Sequence, residues 1–312
     1  MASHAQNDGL PCGVGTGVGD IEAAAARIAP YVRRTPTIDW GPGVVLKLEC
    51  LQVTGSFKPR GMVNRMLTAD VPAAGVVVAS GGNAGLAVTY AAQALGHQAE
   101  VFVPANAPDV KVAGITAYGA RVHREGATYA DALEASHHHA TATGAVVIHA
   151  YDQPEVVAGA GTIGAELPDV DTVLVAVGGG GLIAGIASWF EGAVRVVAVE
   201  PDGCPTLAAA MEAGGPVDIA PGGVASDSLG AGRIGDLAWA QVERGHIASS
   251  LVLPGDAILA ARQELWSSMR VATELGGVAA LAALTSGAYV PAAGERVAVI
   301  VCGANASPAD LA

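Results

Sequence analysis

Three lysines occur in the 312 residues: Lys47, Lys58 and Lys111. Any lysine chemistry must use one of them. Lys58 lies in Thr54-Gly55-Ser56-Phe57-Lys58-Pro59-Arg60-Gly61, where Pro59 stiffens the chain behind it. A lysine amine held near an anion-binding loop can form a Schiff base with an aldehyde. The plain alternative, for an arbitrary lysine, is a surface residue. Lys47, inside VVLKLE, reads as decoration on a strand edge, and Lys111 as part of an exposed helix.

Two glycine loops could hold anions. Gly178, Gly179, Gly180 and Gly181 lie between an apolar run and a helical stretch. Bare backbone turns sharply there, and N–H groups at the following helix start attract phosphate. A plain tight turn would not need four glycines in a row. The rival reading takes Gly179 to Ala184 as G-x-G-x-x-A, with Glu200 at the spacing of a ribose-binding acid. Ser80, Gly81, Gly82 and Asn83 form the second loop. Hydroxyl, backbone and amide converge there in a way that suits a carboxylate. The alternative is an ordinary turn with Asn83 as helix cap. Cys302 ends the last apolar run and could meet a cofactor nitrogen, or simply be core. His137, His138 and His139 are consecutive and share no helix face, which argues against a metal site.

These residues need elements to place them. Short apolar runs at 44–49, 75–80, 99–104, 120–125, 145–150, 172–177, 195–200, 247–253 and 296–302 read as strands. Helical stretches separate them, at 21–29 (capped by Asp20), 84–95, 110–118, 129–140, 182–190, 256–269 (capped by Asp256) and 277–284. That rhythm predicts an α/β protein built on parallel sheets. Residues 214–235 lack periodicity and read as long loops near a site, with Asp227 among them.

Composition excludes several classes. Net charge is −13, which disfavours nucleic acid and anionic membrane surfaces as partners. Hydrophobic residues make up 51%, yet no apolar run reaches the roughly 18 residues a membrane span needs. Four scattered cysteines without CxxC suggest a reduced, cytoplasmic protein. The polar, Gly-rich N-terminus does not read as a signal peptide and is expected to be partly disordered. Length alone suggests two domains.

The ordered series KLECLQVTGSFKPRG, SGGNAG, HAYDQPEVVAGAGTIGAEL, VGGGGLIAG, VAVEP and VCGAN resembles the fold-type II pyridoxal-phosphate enzymes, in their serine/threonine dehydratase branch. The match runs from Leu46 to Asn305. The resemblance implies two open twisted parallel-sheet domains, of the tryptophan synthase β type. A large one would comprise 1–52 and 145–312, and a small one 53–144. It implies that Lys58 carries pyridoxal 5′-phosphate, with Phe57 beside it. Gly178 to Gly181 would hold the phosphate, Asn83 the 3′ oxygen, and Cys302 would face the pyridine nitrogen. Ser80, Gly81, Gly82 and Asn83 would bind the substrate carboxylate.

The implied activity is α,β-elimination from L-threonine or L-serine, giving a 2-oxo acid and ammonia. Other β-eliminations, weak serine racemisation and, in another class, NAD-dependent oxidoreduction are the alternatives. Relatives that racemise serine carry a serine where Gly81 stands. Their divalent site pairs a Glu with an Asp six residues on, where this chain has Glu200 and Thr206. No metal is therefore expected, and a monovalent cation is left open. The resemblance also implies a homodimer. The short stretch after Asn305 implies no regulatory domain and no isoleucine feedback.

Overall fold

The computed structural model describes residues 16–306, so the N-terminal expectation falls largely outside the described residues. The strands are β1 (Thr37–Gly41), β2 (Val44–Leu48), β3 (Val76–Ala79), β4 (Ala99–Val103), β5 (Arg121–Arg124), β6 (Val146–Val147), β7 (Thr172–Ala176), β8 (Arg195–Pro201), β9 (Ile247–Leu253) and β10 (Val297–Val301). The helices are α1 (Val18–Ile28), α2 (Pro59–Thr68), α3 (Asn83–Leu95), α4 (Asp109–Thr116), α5 (Tyr129–Thr143), α6 (Pro154–Glu166), α7 (Gly181–Phe190), α8 (Thr206–Ala213), α9 (Ser226–Leu229), α10 (Asp236–Glu243), α11 (Gly255–Met269) and α12 (Leu275–Thr285). None is long and apolar enough to cross a membrane.

Two sheets result. Six strands run in the order β1-β2-β10-β7-β8-β9, with only β1 antiparallel. Four parallel strands run in the order β5-β4-β3-β6. Strands β3, β7 and β10 are buried at every position because helices cover both faces, which is why they read as unbroken Val-rich runs. The chain reverses direction across each sheet once, between β7 and β10 in one and between β3 and β6 in the other. Loops leaving the carboxyl ends at such points leave a crevice where ligands bind.

Several local expectations change. β1 was not evident in the sequence, because TIDWG is short and lies at a sheet edge. Helix α6 is not evident in the sequence either, since its glycines mask a helical pattern. Those glycines allow helices to touch by backbone. A Cβ at Gly159 would lie 2.3 Å from Arg60 O, and one at Gly185 would lie 2.5 Å from Gly161 N. β6 is only two residues long, because the chain then turns toward the crevice. Asp20 is not the cap of α1 but its third residue, accepting from Gly17 N at 3.0 Å. Asp256 likewise lies inside α11, behind Pro254. A short α9 interrupts the 214–235 loops.

Lys47 is not strand-edge decoration. β2 lies between β1 and β10, and Lys47 is 1% exposed. Its Nζ donates to Thr35 O at 2.7 Å and to Glu166 at 2.5 Å. Arg60 joins the same network, reaching Glu49 at 2.8 Å and Glu166 at 2.7 Å. Two cations and two acids thus anchor the start of α2, immediately after Lys58. Burial would raise the Glu166 carboxyl, but hydrogen bonds from Arg60 and Lys47 hold it below its usual range. Glu166→Ala leaves Lys47 without its carboxylate partner in the interior, while Arg60 keeps Glu49. Denaturant unfolding should show a loss of about 3–5 kcal/mol, the cost of breaking a buried pair from one side.

Candidate active site

Lys58 sits at the first turn of α2, stitched to the end of β10. Phe57 N donates to Cys302 O at 3.1 Å, and Ala304 N donates to Gly55 O at 2.8 Å. This backbone pairing sets Lys58 and Cys302 on the same small cavity, with Phe57, Tyr151 and Gly178 to Gly181. Lys58 Nζ donates to Ala150 O at 2.7 Å, and lies 5.1 Å from the centre of the Phe57 ring. Desolvation lowers its pKa to about 8, against weaker opposing pulls from Cys302 and Glu274. Lys58 is therefore no surface lysine, and its amine is part neutral near physiological pH. Burial pushes the Cys302 thiol above its usual range, so it stays protonated; Sγ lies 3.5 Å from Gly276 O.

The four glycines form a cradle at the carboxyl end of β7. Gly180 has φ +91°, a left-handed conformation that glycine adopts without strain. A Cβ at Gly179 would lie 2.4 Å from the Tyr151 ring, and one at Gly181 would lie 2.6 Å from Tyr151 O. The N–H groups of Gly178 through Ile183 donate to nothing among the described residues. They open onto the Lys58 cavity at the start of α7, which is a site for a phosphate. Tyr151 is placed by His149, whose Nδ1 accepts from Tyr151 N at 3.3 Å and Asp152 N at 2.9 Å. Burial lowers the His149 pKa, which suits this neutral accepting role.

The second loop follows β3. Asn83 is the first residue of α3, with Gly82 at the cap, so it is not the cap itself. Its side chain is held from both sides: Nδ2 donates to Glu274 Oε1 at 2.6 Å, and Oδ1 accepts from Asn305 Nδ2 at 2.7 Å. Asn305 Nδ2 also donates to Thr54 O at 2.8 Å, steadying a turn where Thr54 has φ +61°. Both Asn305 hydrogens are thus engaged, whereas Asn83 keeps one N–H for a ligand oxygen. The Ser80 hydroxyl accepts from Gly82 N at 3.3 Å, and the N–H groups of Gly81, Asn83 and Ala84 have no acceptor among the described residues. The loop can therefore take a carboxylate.

Gly81, Gly82 and Asn83 line a larger cavity of about 710 Å³ with Glu274, Lys111 and Arg262. Ser228 faces both cavities. Glu274, Asn305, Tyr151 and Arg262 were not singled out in the sequence as site residues; only VCGAN and HAYD hinted at two of them. The residues present fit a phosphorylated aldehyde: an amine, a glycine cradle with free N–H groups, a neutral thiol and an amide donor. Glu200 does not fit a ribose. It is fully buried, and its oxygens accept from Leu207 N, Ala208 N, Ser250 Oγ and Thr206 Oγ1 at 2.6 to 3.2 Å. That removes the basis of the dinucleotide reading. No group of three or more His, Cys, Asp or Glu side chains among the described residues is placed to hold a metal ion.

Desolvation raises the Glu274 pKa to about 7, with the Asn83 hydrogen bond opposing. A raised acid adds stability at low pH, and that contribution is lost as pH rises from about 4.5 through 7. Glu274→Gln keeps an acceptor for Asn83 and removes the charge. Its stability relative to wild type should be higher at pH 8 than at pH 5, by urea unfolding at both.

Known proteins are similar to this chain in sequence and fold. Residues 28–303 match the family model described as "Pyridoxal-phosphate dependent enzyme". The chain is 31% identical to a serine racemase of Oryza sativa subsp. indica, over 94% of this chain and 92% of that protein. It is 34% identical to an L-threonine ammonia-lyase of Thermotoga maritima, over 85% of this chain and 68% of that one. The solved structure of maize serine racemase matches with a TM-score of 0.89 at 32% identity, covering 95% of this chain and 96% of that chain. The chain belongs to the fold-type II pyridoxal-phosphate-dependent enzymes.

Proposed function

We propose that this enzyme is an ammonia-lyase that converts L-threonine, L-serine or both to 2-oxobutyrate or pyruvate plus ammonia. The observation that carries this reading is the Lys58 amine, partly neutral and lining one cavity with the glycine cradle, next to the cavity of the SGGN loop, with Ser228 lining both. In this reading Lys58 holds pyridoxal phosphate, the cradle holds its phosphate, and Asn83 and Cys302 meet its ring. Phe57 packs beside Lys58. Pyridoxal phosphate, when bound, supplies the electron sink that eases loss of a Cα proton and a β-substituent.

The chain's own residues do the rest. The Ser80–Asn83 loop orients the amino acid by its carboxylate. Lys58 would take the Cα proton of the bound amino acid; an amine whose pKa burial lowers to about 8 is matched to that task. The Cys302 thiol stays protonated and would bring no charge to the cofactor it faces. The β-hydroxyl leaves as water, and the released enamine tautomerises and hydrolyses to 2-oxo acid and ammonia. The two sheets with their separate cores support two domains, with the small one running from 53 past 144 to β6, because Val146 and Val147 pair with β3 and Ile148 packs in the same core. Homodimer assembly and a cytoplasmic location belong to the same reading.

Racemisation is the second reading, supported by the similarity to serine racemases. Gly81 argues for elimination. It offers no side chain to return a proton from the other face, and a Cβ there would lie 3.3 Å from Val103 Cγ1.

Two tests follow. Purified enzyme with L-serine should release pyruvate faster than it forms D-serine; the reverse ratio would favour the racemase. Gly179→Ala should displace Tyr151 and weaken cofactor retention at least about tenfold, the effect of losing about 1.4 kcal/mol. Titrating the absorption band of bound pyridoxal phosphate measures it.

A further inference from the structure

The larger cavity holds more than threonine needs. Its volume of about 710 Å³ falls among clefts that take ligands of drug size, about 300–1,000 Å³. Two cations line it, Lys111 and Arg262. Lys111, on α4, has one ion-pair partner among the described residues, Asp227 at 3.2 Å. The Asp227 side chain is 86% exposed, so this pair is weak and an incoming anion can replace it. Arg262, on α11, is half-buried in the cavity wall. Its guanidinium has no hydrogen-bond or ion-pair partner among the described residues. The other acid that lines the cavity, Glu274, accepts from Asn83. The chain has 16 basic residues against 29 acidic ones, so two cations on one cleft oppose the overall field and draw anions inward.

We propose that Arg262 and Lys111 receive a second carboxylate, carried on the β-carbon of the substrate. The inference rests on the ammonia-lyase reading. It names the substrate class as 3-hydroxy-2-aminodicarboxylic acids, of which 3-hydroxyaspartate is the smallest. The Ser80–Asn83 loop holds the α-carboxylate, and the cation pair holds the other. A planar guanidinium binds a carboxylate through paired N–H donors. In the reaction the Cα–H and Cβ–O bonds break, the hydroxyl leaves with a proton as water, and a C=C bond forms. The released enamine becomes an imine, takes up one water, and yields oxaloacetate and ammonia. No oxidant or reductant is needed.

The test compares L-threo-3-hydroxyaspartate with L-threonine as substrates for the holoenzyme, in wild type, Arg262→Ala and Arg262→Lys. The wild-type kcat/KM should favour hydroxyaspartate by about tenfold or more. Arg262→Ala should lower that ratio about 10- to 100-fold, as expected for a lost charged hydrogen bond, and Arg262→Lys should recover part of it. Added salt should also erode the wild-type preference, a measurement that stands if Arg262→Ala does not fold.

A second arm needs no turnover. L-aspartate and L-alanine, which lack a β-hydroxyl, are titrated against the absorption band of the bound cofactor. Tighter binding of aspartate in wild type but not in Arg262→Ala upholds the carboxylate site even without 2-oxo acid release, in which case only the lyase reading fails. Equal affinity for aspartate and alanine overturns the inference. An equal loss for both substrates in Arg262→Ala also overturns it.

Discussion

A lysine amine withdrawn from water beside no carboxylate sheds part of its charge, and this fold is arranged around one such amine. Lys58 finds a carbonyl at Ala150, an aromatic face at Phe57 and a neutral thiol across the cavity, but no carboxylate in contact. Desolvation then prevails over the more distant pull of Glu274 and brings its pKa to about 8. Burial lowers the pKa of Lys47 too, but there the hydrogen bond and charge of Glu166 pull against it, an opposition that Lys58 lacks at contact range. The two lysines show that the same side chain becomes structural or chemically available according to whether an acid lies against it.

The placement of that amine depends on backbone more than on side chains. The turn at Gly55–Phe57 is hydrogen-bonded to Cys302–Ala304, so β10 carries the lysine loop with it. Gly277 allows this, since a Cβ there would lie 1.9 Å from Gly303 O. Behind Lys58, the buried Arg60–Glu49–Glu166–Lys47 network fixes the start of α2 against β2 and α6. The crevices of both sheets then face one another. The β7 and β10 ends supply the glycine cradle and the thiol, and the β3 and β6 ends supply the SGGN loop and Tyr151. Asn83, Glu274 and Asn305 tie the two sides together through three hydrogen bonds that end on Thr54.

Much of this was legible in the sequence because it lies in contiguous motifs. A strand, a glycine loop and a helix start occur together around Gly178–Gly181 and again around Ser80–Asn83, so order along the chain encodes the site. Glu274 and Arg262 were not legible for the opposite reason. Each is a single charged residue on a helix or at its start, and only the packing of α11 and α12 against the cleft makes it part of a site. Lys47 misled because an isolated VVLKLE run looks like an edge strand; its burial depends on Glu166, 119 residues away. Glu200 misled in another way. Its spacing from the glycine loop suits a ribose-binding acid, whereas its carboxylate caps the start of α8.

The most direct measurement is to reduce the holoenzyme with borohydride and locate the retained pyridoxyl group by peptide mass spectrometry. With lysines only at 47, 58 and 111, the assignment is unambiguous. The label is expected on the peptide containing Lys58, and to disappear in Lys58→Ala. Label on Lys47 or Lys111, or none after reduction, would contradict the central role of Lys58.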